Sequence, residues 1–445
     1  MRLTVHARGM GETLFHITVL SNFARAFDKY ALSYSKARIP ESTFPDRFFL
    51  LRQEELGIGI RKASGLLERL GLEGDRLIAL ETHVPSEQLQ PNERTGLGRF
   101  ILGPEIRLSA VHAVGPEGTL TRWDVETAFA RSLQVLHPTL KPYEALSPRS
   151  ISFLPIARGC QADCAFCFSE ASISADQAQA ALSKEVVEAH LDEALARGAE
   201  RAVITGGGEP GLLPLPRLLE LVRACAARFP QKVVLISNGV FLARLDDEAR
   251  GRALLQLEEA GLTVLSLSRH HAEPSRNAAL MRLDTGTERV LGSFRSGGFH
   301  SLRPRLVAVL QRGGLDSEQT FAEYLQWAAA QGVDEVTWKE LYVSTSEESV
   351  YHSRPSNLWS REHQVSLALA TEWLQAQGWR RVAELPWGSP IYEGVVDGRR
   401  MRVATYTEPS LFWERSNGLA RSWNVLADGA CYASLEDRRS RLELT

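Results

Sequence analysis

The chain has 445 residues with 44% hydrophobic and 24% charged content, enough apolar material for a large core and enough length for two or three domains. Lysine and arginine number 51 against 54 acidic residues, a formal net charge of -3, so nothing global favours nucleic acid or an anionic membrane as partner. No apolar run approaches the roughly 20 residues that span a bilayer, and Met1-Arg2-Leu3-Thr4-Val5-His6 does not open a secretory signal, so the expected location is the cytoplasm. Five cysteines are too few for a disulfide framework, and three of them cluster on one short stretch, which points to metal ligation.

Residues 1–149 lack a regular alternation of strands and helices and read as a mixed α+β region that binds substrate or a partner. Segments 106–114 and 120–123 flank Gly115-Pro116-Glu117-Gly118 as a hairpin, and a helix is expected over 124–136. From 150 to 345 short apolar strands alternate with longer helical patterns, the signature of a parallel sheet built from β/α units. The strands fall at 151–157, 201–205, 232–237, 263–268, 302–310 and 335–342. The helices fall at 184–197, 215–229, 247–261, from near Arg276, and at 317–330. Residues 346–445 read as a small α+β cap with a helix over 362–377. Two hairpin signals follow it, Val396-Asp397-Gly398-Arg399 and Ala427-Asp428-Gly429-Ala430. The expected class is α/β, a partial (β/α)6 barrel between an N-terminal α+β region and the cap, with its chemistry at the carboxyl ends of the strands.

The loop after the first strand reads Arg158-Gly159-Cys160-Gln161-Ala162-Asp163-Cys164-Ala165-Phe166-Cys167-Phe168. Soft thiolates favour iron–sulfur clusters or zinc, but structural zinc sites supply four ligands, and no fourth Cys or His lies nearby in sequence. The competing reading is a zinc loop completed by a distant Cys225 or His270. Three ligands on a cluster leave one iron open for a small molecule.

This Cys-x3-Cys-x2-Cys loop, with an aromatic residue before its last cysteine, resembles the radical SAM superfamily, over about residues 150–345. The resemblance implies a [4Fe-4S] cluster on Cys160, Cys164 and Cys167, with Phe166 beside it. It also implies that S-adenosylmethionine (SAM) chelates the open iron and that reduction cleaves it to methionine and a 5′-deoxyadenosyl radical.

Three further motifs sit in the expected strand-end loops. Thr205-Gly206-Gly207-Gly208-Glu209-Pro210 resembles the family's GGE motif, which implies that Gly206, Gly207, Gly208 and Glu209 receive the SAM amino group; by itself such a run is a tight turn about as often. Ser237 and Asn238 end the third strand at the family's ribose position, where an Asn-Gly turn is the plain alternative. In Ser266-Leu267-Ser268-Arg269-His270-His271, alternation separates Ser266, Ser268 and His270 from Leu267 and Arg269. Ser268 is the expected SAM contact, and Arg269 or His270 the expected carboxylate or substrate contact. Gln311 and Arg312 end the fifth strand and Glu340 lies near the end of the sixth, where the family places adenine and substrate contacts.

Of the two remaining cysteines, Cys225 falls inside an amphipathic helix and reads as core. Cys431 follows a hairpin turn that resembles the start of a SPASM or twitch domain. Too few cysteines remain for an auxiliary cluster, so a single cluster is expected, and Cys431 is a candidate hydrogen donor to a substrate radical. The resemblance implies an oxidoreductase of natural-product biosynthesis that needs a flavodoxin- or ferredoxin-type reductant. Its expected substrate is a ribosomal peptide or natural-product intermediate; the alternatives are a small metabolite such as a sugar or nucleoside, or a non-catalytic metal-binding scaffold.

Overall fold

The computed structural model describes residues 141–344, 349–409, 414–415 and 417–443, together with nine strands among the first 140 residues. The chain divides into two units, Met1–Leu140 and Lys141–Thr445.

The strands described in the first unit form two antiparallel sheets. One runs Leu32–Ser33, Leu14–Leu20, Arg2–Arg8, Arg99–Ile101, Pro91–Asn92; the other runs Phe48–Arg52, Leu77–Thr82, Leu108–Val114, Leu120–Asp124. The hairpin expected around Gly115 is present, with Val114 opposite Leu120. The helix expected over 124–136 lies outside the described residues after Asp124.

In the second unit the six expected strands are β1 (Ile151–Leu154), β2 (Ala202–Ile204), β3 (Val233–Ser237), β4 (Val264–Ser268), β5 (Arg303–Leu310) and β6 (Glu335–Glu340). They pair parallel in chain order. Every residue of β1 is buried, as expected of a parallel strand covered on both faces. The helices between them are α1 (Lys184–Ala196), α2 (Leu215–Arg228), α3 (Asp247–Glu259), α4 (Pro274–Met281), α5 (Thr287–Arg295) and α6 (Glu318–Ala330). Side chains fix their starts: Ser183 accepts from the Val186 N–H at 3.3 Å, Asp246 accepts from Ala249 at 2.7 Å, and Ser317 forms a capping box with Thr320.

The last hundred residues differ from a separate cap. The single helix expected over 362–377 is two, α7 (Pro355–His363) and α8 (Leu367–Ala376), because Gln364 leaves helical geometry and Ser366 caps a new start. The following strands are β7 (Arg380–Glu384), β8 (Pro390–Val396), β9 (Arg399–Tyr406), β10 (Trp423–Leu426), β11 (Cys431–Tyr432) and β12 (Arg441–Leu442). They join the same sheet, whose order is β7-β8-β9-β6-β5-β4-β3-β2-β1-β10-β11-β12. Strand β9 adds parallel to β6 and β10 parallel to β1, so eight strands run parallel between two antiparallel edges. Both expected hairpins are present. Asp397 and Gly398 adopt φ of 49° and 80°, the left-handed pair that a tight two-residue turn requires.

The sheet curls until side chains flanking the outer strands of its parallel part come together. The Arg149 guanidinium, just before β1, stands 5.4 Å over the Trp387 ring from the β7–β8 turn, and Arg421, just before β10, pairs with Glu408, just after β9. Residues on one face, such as Phe153, Ile204, Leu235, Leu267 and Ala308, are fully buried under the helices. Ser152, Val203, Val234, Ser266, Arg305 and Thr337 alternate with them and line the lumen.

The outer layer is anchored by Phe321 of α6, fully buried with its ring 5.0 Å from Trp338 and 5.7 Å from Trp373. Phe321→Ala is expected to cost about 3–5 kcal/mol through lost transfer energy and a cavity. The check is a lowered midpoint of thermal unfolding at unchanged folded-state circular dichroism.

Candidate active site

The cysteine loop connects β1 to the short helix Phe168–Ala171, and its turn is closed by the Cys167 N–H donating to the Cys164 carbonyl at 3.0 Å. The loop is docked on α4, where the Met281 carbonyl accepts from the Asp163 N–H at 3.1 Å and Arg282 pairs with Asp163. Its aromatic residues are wedged in place. Phe166 meets the His270 ring edge-on at 4.9 Å and lies 5.9 Å from Trp359, while Phe168 packs against Tyr342 and Tyr351 at 5.4 and 5.1 Å.

The glycine run after β2 lies directly against this loop. The Glu209 N–H donates to the Gly159 carbonyl at 2.9 Å, and Ser169 donates to the Gly206 carbonyl at 2.9 Å. A Cβ on Gly208 would stand 2.2 Å from that same Gly159 oxygen, so only glycine permits the two loops to touch.

Glu209 is 4% exposed and both its oxygens are committed. Oε1 accepts from the Gly211 N–H at 2.8 Å and the Ser237 hydroxyl at 2.6 Å, and Oε2 accepts from the Asn238 N–H at 2.9 Å. Burial pushes its carboxyl up, and these donors act in the opposite direction. From the same strand end, Asn238 Nδ2 reaches Gln161 Oε1 at 3.1 Å and Cys160 Sγ at 3.6 Å. Three strand-end loops are thereby one bonded unit, which the sequence motifs individually do not reveal.

The fourth strand distributes its residues differently from expectation. Arg269, expected at the cofactor, is turned away from the lumen. Its Nε donates to the His271 carbonyl at 2.7 Å, it pairs with Glu288 at 2.7 Å, and it stacks 4.6 Å over Trp327. Alternation explains this, because Arg269 shares the helix-facing side with Leu267. His270 is buried, its Nδ1 accepts from the Val309 N–H at 3.1 Å, and burial with Arg269 alongside pulls it down to about 3. The ring is therefore neutral with its proton on Nε2. Ser266 accepts from Arg305 Nε at 3.1 Å, and Ser268 is half-buried on the same face.

Gln311 continues the inward series Arg305, Val307, Val309. It is fully buried, with neither amide atom hydrogen-bonded. Glu340 instead faces the helices, accepting from Leu367 N–H at 3.3 Å and Thr407 at 2.8 Å. Cys225 is core, as expected. Cys431 pairs with Val425, which pairs with Phe153, so it lies on the helix side of the sheet and is 1% exposed. That placement removes it from the lumen and from the hydrogen-donor role expected of it.

Sequence reading missed the bracing of the cysteine loop by α7. Trp359 and His363 stack at 3.8 Å, and the i, i+4 spacing of these two rings was the available signal. It also missed a small pocket beside Phe168, lined by Tyr342, Glu408, Glu414, Arg421 and Glu436.

The donor set fits an iron–sulfur cluster. Desolvation pushes the thiols up, most firmly Cys164 and Cys167, since Cys160 is itself exposed, and Cys164 is raised further by Cys167 and Cys160, a mutual repulsion that a cationic cluster would relieve. Among the described residues no three His, Cys, Asp or Glu side chains stand close enough together to hold a metal ion as they are, so Cys160, Cys164 and Cys167 would hold a cluster only after a local adjustment of their loop. The orphaned Gln311 amide is a second feature that suits a bound ligand.

Glu209→Gln places an N–H₂ against a committed N–H or O–H donor. The expected cost is about 1–3 kcal/mol, read as a lowered unfolding midpoint, with Glu209→Ala lower still.

Residues 154–295 match the family described as the Radical SAM superfamily. No curated protein sequence matches the chain at a significant level. Among solved structures, Streptococcus suis SuiB bound to its precursor peptide SuiA is 16% identical, the match covering 69% of this chain and 64% of that one with a TM-score of 0.43. Native anSMEcpe with bound AdoMet is 15% identical over 64% of this chain and 74% of that one, with a TM-score of 0.40. Coproporphyrinogen III oxidase (HemN) from Escherichia coli is 14% identical over 56% of each chain, with a TM-score of 0.33. The chain spans less than two thirds of the length of SuiB, and likeness at these values bears on neither substrate nor reaction. On the family match, with three cysteines on the loop after β1 of an open parallel barrel, the chain carries a radical SAM domain, whose cofactors are a [4Fe-4S] cluster and SAM.

Proposed function

We propose that this protein cleaves SAM reductively and uses the resulting carbon radical to abstract a hydrogen atom from a ribosomal peptide or natural-product intermediate. The observation that carries the reading is the bonded unit of Cys160, Asn238, Ser237 and Glu209, which locks the cysteine loop to two strand ends. When bound, the cluster would supply one electron and SAM the sulfonium that accepts it, whose C5′–S bond breaks to give methionine and a 5′-deoxyadenosyl radical.

The protein's own residues then have distinct tasks. Cys160, Cys164 and Cys167 would hold the cluster, and the Asn238 amide donates to the first thiolate and offsets its charge. Glu209 acts mainly through its neighbours, orienting Ser237 and Asn238 for the ribose and holding the Gly206–Gly208 backbone against the cysteine loop. Ser268 and the unpaired Gln311 amide offer polar groups at the carboxyl ends of β4 and β5. His270 offers the Nε2 proton as a hydrogen-bond donor and is too weak a base to shuttle protons near neutral pH. Phe166 and Phe168, packed on His270, Trp359 and Tyr351, give the Cys167 end of the loop an apolar flank, which would limit water near a carbon radical there, while Cys160 stays exposed. A low-potential donor of the flavodoxin or ferredoxin type would deliver the electron.

Anaerobic reconstitution with iron and sulfide should load about four irons per chain. With dithionite and SAM the wild type should release 5′-deoxyadenosine, detected by mass spectrometry, and a Cys160/Cys164/Cys167→Ala variant should lose both iron and product. Zinc in place of iron, with intact SAM under strong reductant, would sink the reading. For the substrate, deuterium transferred into 5′-deoxyadenosine from a labelled, genetically adjacent precursor peptide supports a peptide; transfer from a labelled sugar or nucleoside alone points to a small metabolite.

Gln311→Leu separates a ligand contact from a packing residue. Removing two unpaired buried amide atoms should raise the unfolding midpoint of the unliganded protein, while SAM affinity falls about tenfold in equilibrium dialysis. Unchanged SAM affinity would remove Gln311 from the site.

A further inference from the structure

The lumen has a second polar end, opposite the cysteine loop. Arg201 immediately precedes β2 and Lys232 immediately precedes β3. The two are neighbours, since the Ala202 N–H donates to the Lys232 carbonyl at 3.2 Å. Alternation from the register pairs Val203↔Val234 and Val234↔Val264 points both side chains inward. Arg305, paired with Ser266, shares that face. All three are half-buried, and among the described residues none makes an ion pair and their one side-chain hydrogen bond is Arg305 Nε to Ser266.

The surroundings neutralise them only in part, through Glu335, which attracts both Lys232 and Arg305 without an ion pair to either. Arg149 pairs with Glu200 at 3.5 Å and adds its own charge from the neighbouring strand. Glu335, the register partner of Arg305, is the nearby acid on the inward face; Arg402 beyond it pairs with Glu393. Glu408, across the lumen, is taken by Lys339 and Arg421. Burial and repulsion from Arg149 and Arg305 pull Arg201 down to about 10, and Lys232 and Arg305 are lowered as well, chiefly by burial. Unpaired cations held together in a half-buried lumen are destabilising unless something anionic joins them. Ser266, which accepts from Arg305, still has its hydroxyl hydrogen to donate.

We propose that Arg201, Lys232 and Arg305 form a binding site for an oxyanion, a phosphate or diphosphate group, at the amino-terminal end of the barrel lumen. Two guanidinium forks and an ammonium match the charge and multiple acceptors of such a group, and the Ser266 hydroxyl adds a neutral donor. The site stands apart from the SAM-facing end and does not depend on turnover there.

The test uses the full-length, anaerobically reconstituted protein and isothermal titration calorimetry with inorganic pyrophosphate, at ionic strength fixed with sodium chloride. The wild type should bind one pyrophosphate per chain. Arg201→Gln, Lys232→Gln and Arg305→Gln should each weaken binding about tenfold or more, and Lys232→Arg, which keeps the charge, should retain it. Removing an unpaired cation should leave the unfolding midpoint of the anion-free protein unchanged or raised, so a lowered midpoint with undiminished pyrophosphate binding assigns the residues to structure and overturns the proposal. So does the absence of binding to the wild type, or equal binding by wild type and all three Gln variants. Competition identifies the source of the group. Displacement of pyrophosphate by both inorganic phosphate and phenyl phosphate marks a site open to the phosphate of a larger molecule; displacement by inorganic phosphate alone marks a site for the free anion.

Discussion

The Glu209 carboxylate is the constraint on which the candidate active site depends. A buried carboxylate is costly unless its lone pairs are filled, and here they are filled by donors from its own loop and from the end of β3. The Ser237 hydroxyl, the Asn238 backbone and the Gly211 backbone must therefore stay where they are for Glu209 to stay ionised. Because Asn238 also reaches Cys160, the constraint extends to the cysteine loop. The glycines complete the arrangement by letting Gly208 sit against the Gly159 carbonyl, where any side chain would collide.

Around this unit the barrel is asymmetric along its axis. At the carboxyl ends of the strands lie the thiols, the glycine run and the aromatic brace of Phe166, Trp359 and Tyr351. At the amino ends lie Arg201, Lys232 and Arg305, with few acids in reach. Parallel strands put these two sets at opposite ends automatically, because loop residues after each strand face one way and residues before it face the other. The lumen between them is lined by Ser152, Ser422, Asn424 and Thr337 as well as valines, and Ser152 and Ser422 bond to each other at 2.7 Å across the β1–β10 seam.

The C-terminal residues matter more to the barrel than their sequence indicates. Six β/α units leave an open sheet whose edges would expose unpaired backbone groups. Strands β9 and β10 cover those edges in parallel register, and Arg421 with Glu408 joins their ends. Cys431 loses its expected chemical role for the same reason: as part of an edge hairpin it takes the facing of Val425 and Phe153, toward the helices.

Local sequence by itself determined the six strands, the helices between them except α5, and the loop positions of Cys160, Cys164 and Cys167, because period-2 and period-3.6 patterns, serine and aspartate caps and turn glycines are short-range signals. It also determined which residues share a face, so Ser266 and Ser268 are separable from Leu267 by strand alternation alone. Only the tertiary structure decided that Arg269 is held by Glu288 and Trp327, that Gln311 is buried without a partner, and that β9 and β10 flank the barrel. Those outcomes rest on contacts between segments far apart in the chain. Strand pairing at a sheet edge, ion-pair choice and burial of one particular amide depend on which surfaces meet after the sheet curls, and no local pattern carries that information.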